Sequence, residues 1–258
     1  MEVLIVKIGG KLLADSDALH VVMEGFSKIA HPKILVHGGG KQVDELLEKL
    51  GHTSDMVNGR RITDKATLDI CTMVYAGLIG KSLTAHLAKL GCKAMSLAGC
   101  DGNIIQAKKR DKQGTNFGEV GDIERVDAYQ LCNYFKDGLI PVLSSITHDG
   151  NGNLLNTNSD TVASVVAQAL ATLPNYKVKL HYCFELPGVL MDVKDVSSVV
   201  KKLDRNNFEK MASSGKLSQG MIPKCQNGFL ALASNVEEVT IGNLHTLLDP
   251  KLGTKLVK

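Results

Sequence analysis

The chain has 258 residues, 44% of them hydrophobic and 22% charged, with a formal net charge of +3. This is the composition of a globular protein with a substantial core, and it argues against a disordered chain. The small basic excess and the scarcity of aromatic residues argue against nucleic-acid and membrane partners. Six scattered cysteines without a C-x-x-C pair indicate reduced thiols in a cytosolic protein.

Short apolar runs alternate with amphipathic helical patterns at the start of the chain. The sequence predicts, in order, a strand at Val3–Val6, a helix over Asp15–Ala30, a strand at Lys33–Val36 and a helix over Gln42–Leu50. Such an alternation predicts a mostly parallel sheet covered by helices on both faces. The expected fold class is therefore an α/β three-layer sandwich.

The middle of the chain departs from this alternation. The patterns predict a hairpin in His52–Thr63 with its turn at Asn58-Gly59, a helix over Asp64–Leu90, a second hairpin over Asp101–Gly118, a strand at Leu139–Leu143 and a helix over Ser159–Leu170. The helix over Asp64–Leu90 carries an apolar stripe that could serve a two-fold interface. We therefore expect a homodimer.

A boundary at Pro174-Asn175 is predicted to divide an N-terminal lobe, 1–173, from a C-terminal lobe, 174–258. The second lobe should contain a strand at Val178–Phe184, a lysine-rich helix around Asp195–Leu203, a helix beginning near Pro223 and a strand at Val236–Ile241.

The segment Lys7-Ile8-Gly9-Gly10-Lys11 follows the first predicted strand directly. Glycines allow the backbone to approach a ligand closely, and exposed N–H groups can hold phosphate oxygens. A neighbouring lysine supplies a point charge for the same phosphates. The alternative is an ordinary strand-to-helix turn with a solvated lysine.

A second glycine-rich turn, His37-Gly38-Gly39-Gly40, links the next strand to the next helix. It is neither a GxxxxGK[ST] nor a GxGxxG motif, but it leaves a helix N-terminus open to an anion. In a parallel sheet, both turns would lie at the carboxyl edge, where ligands bind. His37 itself is expected to pack at the strand end rather than to act in catalysis.

Polar residues at Asn156-Thr157-Asn158-Ser159-Asp160 open a predicted helix. The alternating asparagines place two amides on one side of the chain, where they could bind a polar substrate, while Asp160 could orient nearby lysines. A plain helix-capping cluster is the alternative.

Three further cations are candidates, each of which could also be merely solvated. Arg61 follows the predicted hairpin turn and could clamp a carboxylate, with Arg60 as its competitor. Lys224 is predicted in the first turn of a helix, where a basic charge is poorly matched to the helix dipole, and this mismatch hints at a function.

Together these segments resemble the amino acid kinase family, and NGRR, NTNSD and GMIPK point to its acylglutamate branch. The resemblance covers nearly the whole chain, and its order of motifs is what makes it specific. It implies the amino acid kinase fold and the phosphorylation of the side-chain carboxylate of an N-acetyl- or related N-acylglutamate in arginine biosynthesis. ATP would be the donor, with Mg²⁺ carried by the nucleotide and no metal held by the protein.

The same resemblance assigns roles to individual residues. It implies that Lys7 and Lys224 contact the transferring phosphoryl group and that Asp160 holds them in place. The phosphate-binding backbone is expected at Gly9, Gly10, Gly38 and Gly39, and the substrate-binding residues are expected to be Gly39, Arg61, Asn156 and Asn158. The lobe 1–173 would bind acylglutamate and dimerise, and the lobe 174–258 would bind the nucleotide.

One departure and two alternatives stay open. Phe184-Glu185-Leu186-Pro187-Gly188 stands where similar kinases carry a T/S-D-V-x-G stretch, so the nucleotide pocket is expected to differ in detail. Another kinase of the same family, acting on carbamate or aspartate, is the first alternative. A non-catalytic regulatory module on the same fold is the second.

Overall fold

The computed structural model describes residues 1–57, 59–111, 114–218 and 220–258. Its strands are β1 (Glu2–Ile8), β2 (Lys33–His37), β3 (Met56–Val57), β4 (Arg60–Arg61), β5 (Ala94–Leu97), β6 (Ile105–Lys109), β7 (Gly121–Val126), β8 (Ile140–Leu143), β9 (Ile146–His148), β10 (Leu154–Asn156), β11 (Lys177–Cys183), β12 (Lys202–Leu203), β13 (Glu238–Gly242) and β14 (Thr254–Leu256).

The α-helices of the described chain are α1 (Gly10–Leu13), α2 (Ser16–Ser27), α3 (Gly40–Lys49), α4 (Lys65–Thr72), α5 (Gly80–Lys89), α6 (Ala128–Lys136), α7 (Ser159–Ala171), α8 (Arg205–Ser213), α9 (Met221–Ala233) and α10 (Leu244–Leu248). A π-helical segment, Met73–Ile79, joins α4 to α5. None of the helices in these ranges is long and apolar enough to cross a membrane.

The chain divides into two compact units, Met1–Lys33 with Ala163–Lys258, and Ile34–Val162. The N-terminal segment groups with the C-terminal part because β1 pairs in parallel with β11 along its whole length. The lobes 1–173 and 174–258, whose boundary was predicted at Pro174-Asn175 and whose binding roles the resemblance implied, stay a prediction.

The first unit contains five strands in the order β12-β14-β13-β11-β1. β11 is parallel to both β1 and β13, whereas β14 runs antiparallel to β13. Most of β1 and β11 is buried, as expected for strands covered on both faces. Their carboxyl ends lie side by side, with Ile8 opposite Cys183 and Cys183 opposite Gly242.

The second unit contains a parallel set of strands, β2-β8-β5, and a smaller sheet in the order β10-β9-β6-β7. The predicted first hairpin is present, since β3 and β4 pair antiparallel with Met56 opposite Arg61. Asn58, predicted in its turn, lies outside the described residues. The turn that follows β2 contains the second glycine cluster.

The predicted long helix is confirmed, because helical structure is continuous from Lys65 to Lys89. Its apolar stripe, however, mostly faces the core of its own unit: the buried members are Leu68, Cys71, Tyr75, Leu83 and Leu87. Leu78 is 62% exposed, and Met73, five residues earlier, is 57% exposed. The π-helical segment therefore exposes two large apolar side chains, Met73 and Leu78.

Two predicted elements need correction. The predicted helix around Asp195–Leu203 is absent, and the chain there forms hydrogen-bonded turns followed by β12. Asp195 Oδ1 accepts the Ser197 N–H at 2.9 Å, and such side-chain bonds compete with a helix. The second hairpin exists, but its strands are β6 and β7, so it extends beyond Gly118.

Candidate active site

A pocket of about 410 Å³ lies in the first unit, at the carboxyl end of β1. Its lining includes Lys7, Gly9, Gly10 and Lys224. These residues come from two motifs that are distant in the sequence, and the family resemblance implied phosphate binding or phosphoryl transfer for all four. The fold therefore brings this half of the predicted site together.

Lys7 and Lys224 bring two cations to the pocket from different elements. Lys7 is near the end of β1 and is 5% exposed. Burial raises the pKa of the neighbouring Cys183 thiol to about 12, while the charge of Lys7 acts in the opposite direction. Lys224 lies in the first turn of α9, and its Nζ donates to the Gly220 carbonyl oxygen at 3.2 Å. Two converging ammonium groups suit an anionic ligand.

The two glycines after β1 differ in their surroundings. Gly9 continues the strand pairing, since its N–H donates to the Cys183 carbonyl oxygen at 3.0 Å. A Cβ added to Gly10 would meet no protein atom within 4 Å. Gly10 therefore has open space beside its Cα where it lines the pocket, which leaves room for a ligand to approach its backbone.

The glycine turn after β2 is closely packed within the second unit. Gly39 has φ +148°, and an added Cβ would lie 2.1 Å from Cδ1 of Ile79 and 3.2 Å from the ring of Tyr75. An added Cβ on Gly38 would lie 2.8 Å from the Ser159 hydroxyl oxygen. The turn is therefore held between the π-helical segment and the start of α7, and only glycine fits at position 39.

Arg61 is buried beside this turn. Its Nη1 lies 2.5 Å from Ser54 Oγ and 2.6 Å from Asp44 Oδ1, and its Nη2 donates to the Gly40 carbonyl oxygen at 3.2 Å. Burial lowers the pKa of Arg61, but the hydrogen bond to Asp44 and nearby groups outweigh it, so the net shift is upward. A permanently charged, fixed guanidinium can bind a carboxylate in a defined direction.

Arg60, the competing candidate, is in a different environment. It is half-buried, and burial together with the charge of Arg110 lowers its pKa. The described contacts attach Arg61, not Arg60, to the glycine turn.

The side-chain amides of both asparagines donate to residues in or just after the first hairpin. Asn156 Nδ2 donates to Thr63 Oγ1 at 3.0 Å, and Asn158 Nδ2 donates to the Gly59 carbonyl oxygen at 3.1 Å. Asn158 Oδ1 also accepts the N–H groups of Asp160 and Thr161, so it caps α7. The capping alternative is thus correct for Asn158, whose role in substrate binding stays a prediction.

Asp160 lies in the first turn of α7 and is 5% exposed. A buried carboxylate is retained where it has a partner or a function. Its predicted contact with the two lysines stays a prediction.

Several residues near these groups were not identified as site residues from the sequence. Lys11 and Glu185 line the same pocket as Lys7, and Asp44 and Ser54 hold Arg61. The adjacency of Lys11 to the glycine turn was a usable signal. No sequence signal identified Asp44 and Ser54 as partners of Arg61, because these contacts depend on how α3 and the hairpin pack against each other.

The FELPG segment forms part of the pocket wall. Phe184 lines the pocket with a side chain that has no polar group; the residue is 6% exposed, and its N–H donates to the Gly242 carbonyl oxygen at 2.9 Å. Glu185 and Leu186 line the pocket. This wall therefore has one carboxylate and an apolar surface.

Comparisons with known proteins show the family and the fold of this chain. The model of the amino acid kinase family matches residues 2–243. Acetylglutamate kinases from Bacteroides thetaiotaomicron and Cytophaga hutchinsonii are 42% and 43% identical, and the alignments cover 98% of this chain and 98% and 97% of those proteins. The crystal structure of smu.665 from Streptococcus mutans aligns with a TM-score of 0.81 at 26% identity, over 99% of this chain and 98% of that one.

Proposed function

Because this chain belongs to the amino acid kinase family, as its sequence predicted, and has that family's fold, we propose that it transfers the γ-phosphoryl group of ATP to the side-chain carboxylate of an N-acyl-L-glutamate. The observation that carries the proposal is the pocket that holds Lys7, Gly10 and Lys224, in a chain 42% identical to an acetylglutamate kinase over nearly its whole length. The acyl group is proposed to be acetyl, and the reaction a step of arginine biosynthesis.

The acceptor needs no general base. A side-chain carboxyl group has an ordinary pKa near 4.3 and is already an anion at neutral pH. The obstacle is the approach of two anions and the charge on the phosphoryl oxygens. Lys7 and Lys224 would stabilise that charge, with the open Gly10 backbone as a further donor, and each well-placed donor contributes about 3 kcal/mol.

The nucleotide fits the chemistry of the pocket in the first unit. Its lysines suit the phosphates, and Leu186, Val193 and Met221 offer apolar surface to the base. Mg²⁺ bound to the nucleotide would neutralise part of the phosphate charge during transfer. Asp160 is proposed to position the two lysines.

The acylglutamate is proposed to bind at the glycine cluster of the second unit. Arg61 would pair with the α-carboxylate, since its guanidinium is already held beside the Gly40 carbonyl oxygen. Gly38, Gly39, Asn156 and Asn158 would offer backbone and amide groups to the acylamino part. The close packing around Gly39 supports a rigid binding surface.

We further propose a cytosolic homodimer. The buried stripe of the long helix cannot form the interface, so the exposed pair Met73 and Leu78 is the better candidate. The molar mass from light scattering tests this part of the proposal separately from the activity.

The experiment that tests the activity is a measurement of ATP-dependent ADP release with a panel of acceptors. N-acetyl-L-glutamate should support turnover, whereas aspartate and carbamate should not. Turnover with N-succinyl-L-glutamate but not with N-acetyl-L-glutamate would show that the acyl group is succinyl. Turnover with carbamate or aspartate alone would favour another kinase of the family. No turnover with any acceptor would favour a regulatory module.

A further inference from the structure

Lys11 and Glu185 form an ion pair within the lining of the pocket. Lys11 Nζ lies 2.7 Å from Glu185 Oε1, although the two residues are 174 positions apart in the sequence. Lys11 belongs to the short α1 after β1, and Glu185 follows the end of β11. The parallel pairing of β1 with β11 brings the two residues to the same edge.

The charges of the described lining are unequal. Three lysines, Lys7, Lys11 and Lys224, face one carboxylate, Glu185. Glu185 offers Lys11 one negative charge, whereas a nucleotide polyphosphate carries several. A polyphosphate therefore competes with Glu185 for Lys11.

The ion pair is also easily exchanged. The side chain of Lys11 is 77% exposed and that of Glu185 is 37% exposed. Ion pairs as exposed as this one contribute little to stability, and lysine carries its charge on a flexible four-carbon stem. A ligand in the pocket can therefore break the Lys11–Glu185 ion pair without disturbing the core.

We propose that Lys11 binds the β- and γ-phosphates of the nucleotide as a third cation, and that Glu185 is its counterion before the nucleotide binds. On nucleotide binding, the Lys11 ammonium leaves the Glu185 carboxylate and pairs with phosphate oxygens. Glu185 thus lowers the affinity for the nucleotide, because its bond to Lys11 must first break. This inference rests on the proposed function only in taking a nucleotide as the ligand.

The test is calorimetric titration of the whole chain with AMP, MgADP and a non-hydrolysable Mg–ATP analogue, without any acceptor. For Lys11→Ala, we expect about tenfold weaker binding of the ATP analogue, a smaller loss for MgADP and no change for AMP. For Glu185→Gln, we expect binding of the ATP analogue to tighten about threefold, since the competing carboxylate is gone.

Lys177 and Glu237 provide a matched control pair. They form an exposed ion pair with side chains 74% and 45% exposed and an Nζ–Oε1 distance of 3.9 Å, and they do not line the pocket. Lys177→Ala and Glu237→Gln should leave all three affinities unchanged. This control separates a specific contact from a general change in net charge.

Two results would overturn the inference. The first is an affinity of Lys11→Ala for the ATP analogue within twofold of the unsubstituted chain. The second is equal weakening by Lys11→Ala and Glu185→Gln, which would make the pair a structural link between the two turns. If the expected pattern appears but no acylglutamate is phosphorylated, the proposed function fails and the inference stands.

Discussion

Arg61 Nη1 lies 2.6 Å from Asp44 Oδ1, although the side chain of Arg61 is 5% exposed and that of Asp44 is 60% exposed. The carboxylate therefore holds a buried guanidinium from the solvent side, next to the glycine turn. An arginine that is already fixed loses little conformational freedom when it binds a carboxylate.

This arrangement predicts how substitutions at Arg61 change the kinetics. Arg61→Ala should raise the KM for N-acylglutamate at least about tenfold and change the KM for ATP little, because a charge-assisted carboxylate pair is lost. Asp44→Asn should raise the same KM by a smaller factor. Arg60→Ala is the matched control. If the acylglutamate KM rises in Arg60→Ala and not in Arg61→Ala, then Arg60 binds the carboxylate and the assignment to Arg61 is wrong.

Lys7 and Lys224 are the two lysines proposed to act in the phosphoryl transfer itself. Lys7→Ala and Lys224→Ala should each lower kcat by two or more orders of magnitude, or about 3 kcal/mol, because each removes a charge from the transferring phosphoryl group. Steady-state rates at saturating substrates measure this, with Lys177→Ala as a surface control. Near-normal kcat in both pocket variants would refute a role for these lysines in the transfer.

Substitution of Gly39 and substitution of Gly10 should affect the stability of the fold differently. Gly39→Ala should lower the free energy of unfolding by about 2 kcal/mol or more, because a Cβ there meets Ile79 and φ is +148°. Gly10→Ala should leave unfolding nearly unchanged, since its Cβ would enter open space, but it should weaken ATP binding. Urea denaturation of both variants tests the contrast, and equal stability losses would contradict it.

A buried histidine in the first unit makes stability depend on pH. His181 is 1% exposed, its Nδ1 lies 2.8 Å from Thr240 Oγ1, and burial lowers its pKa from 6.5 to about 4. The unfolded chain thus takes up a proton near pH 6.5 that the folded chain resists. Above pH 6.5 the neutral His181 does not reduce the free energy of unfolding. As the pH falls from 6.5 toward 4, the free energy of unfolding decreases by about 1.4 kcal/mol per pH unit.

Urea midpoints between pH 7 and 5 measure this slope. The chain should lose stability across this window, and His181→Gln should show a flatter dependence even if it is less stable at every pH. The same slope in both proteins would show that other groups cause the loss.

The sequence was sufficient for features that depend on local pattern. Lys7, Gly9 and Gly10 were predicted at the end of a buried strand, and the pairing of β1 with β11 places them there. The asparagine alternation was also informative, because Asn156 and Asn158 both contact the β3–β4 region. Residue order and period decide such features.

Features that depend on side-chain competition or long-range packing could not be predicted. The lysine-rich pattern around Asp195–Leu203 favoured a helix, but Asp195 Oδ1 accepts hydrogen bonds from the Ser197 N–H and hydroxyl groups, which stabilise a turn instead. The π-helical segment was hidden by the near-helical spacing of its apolar residues, so the exposure of Leu78 was missed. The pairs Lys11–Glu185 and Arg61–Asp44 arise only after distant elements come together.

Phosphorylation of the acylglutamate side chain is tested most directly by identifying the product formed from ATP and N-acetyl-L-glutamate. An acyl phosphate reacts with hydroxylamine, so the product trapped from the reaction should be the side-chain hydroxamate of N-acetylglutamate, identified by mass spectrometry. Its amount should equal the ADP formed, and none should appear with Lys7→Ala. ADP formation without the hydroxamate, or no ATP consumption by the unsubstituted chain, would contradict the proposed transfer of phosphate to the side-chain carboxylate.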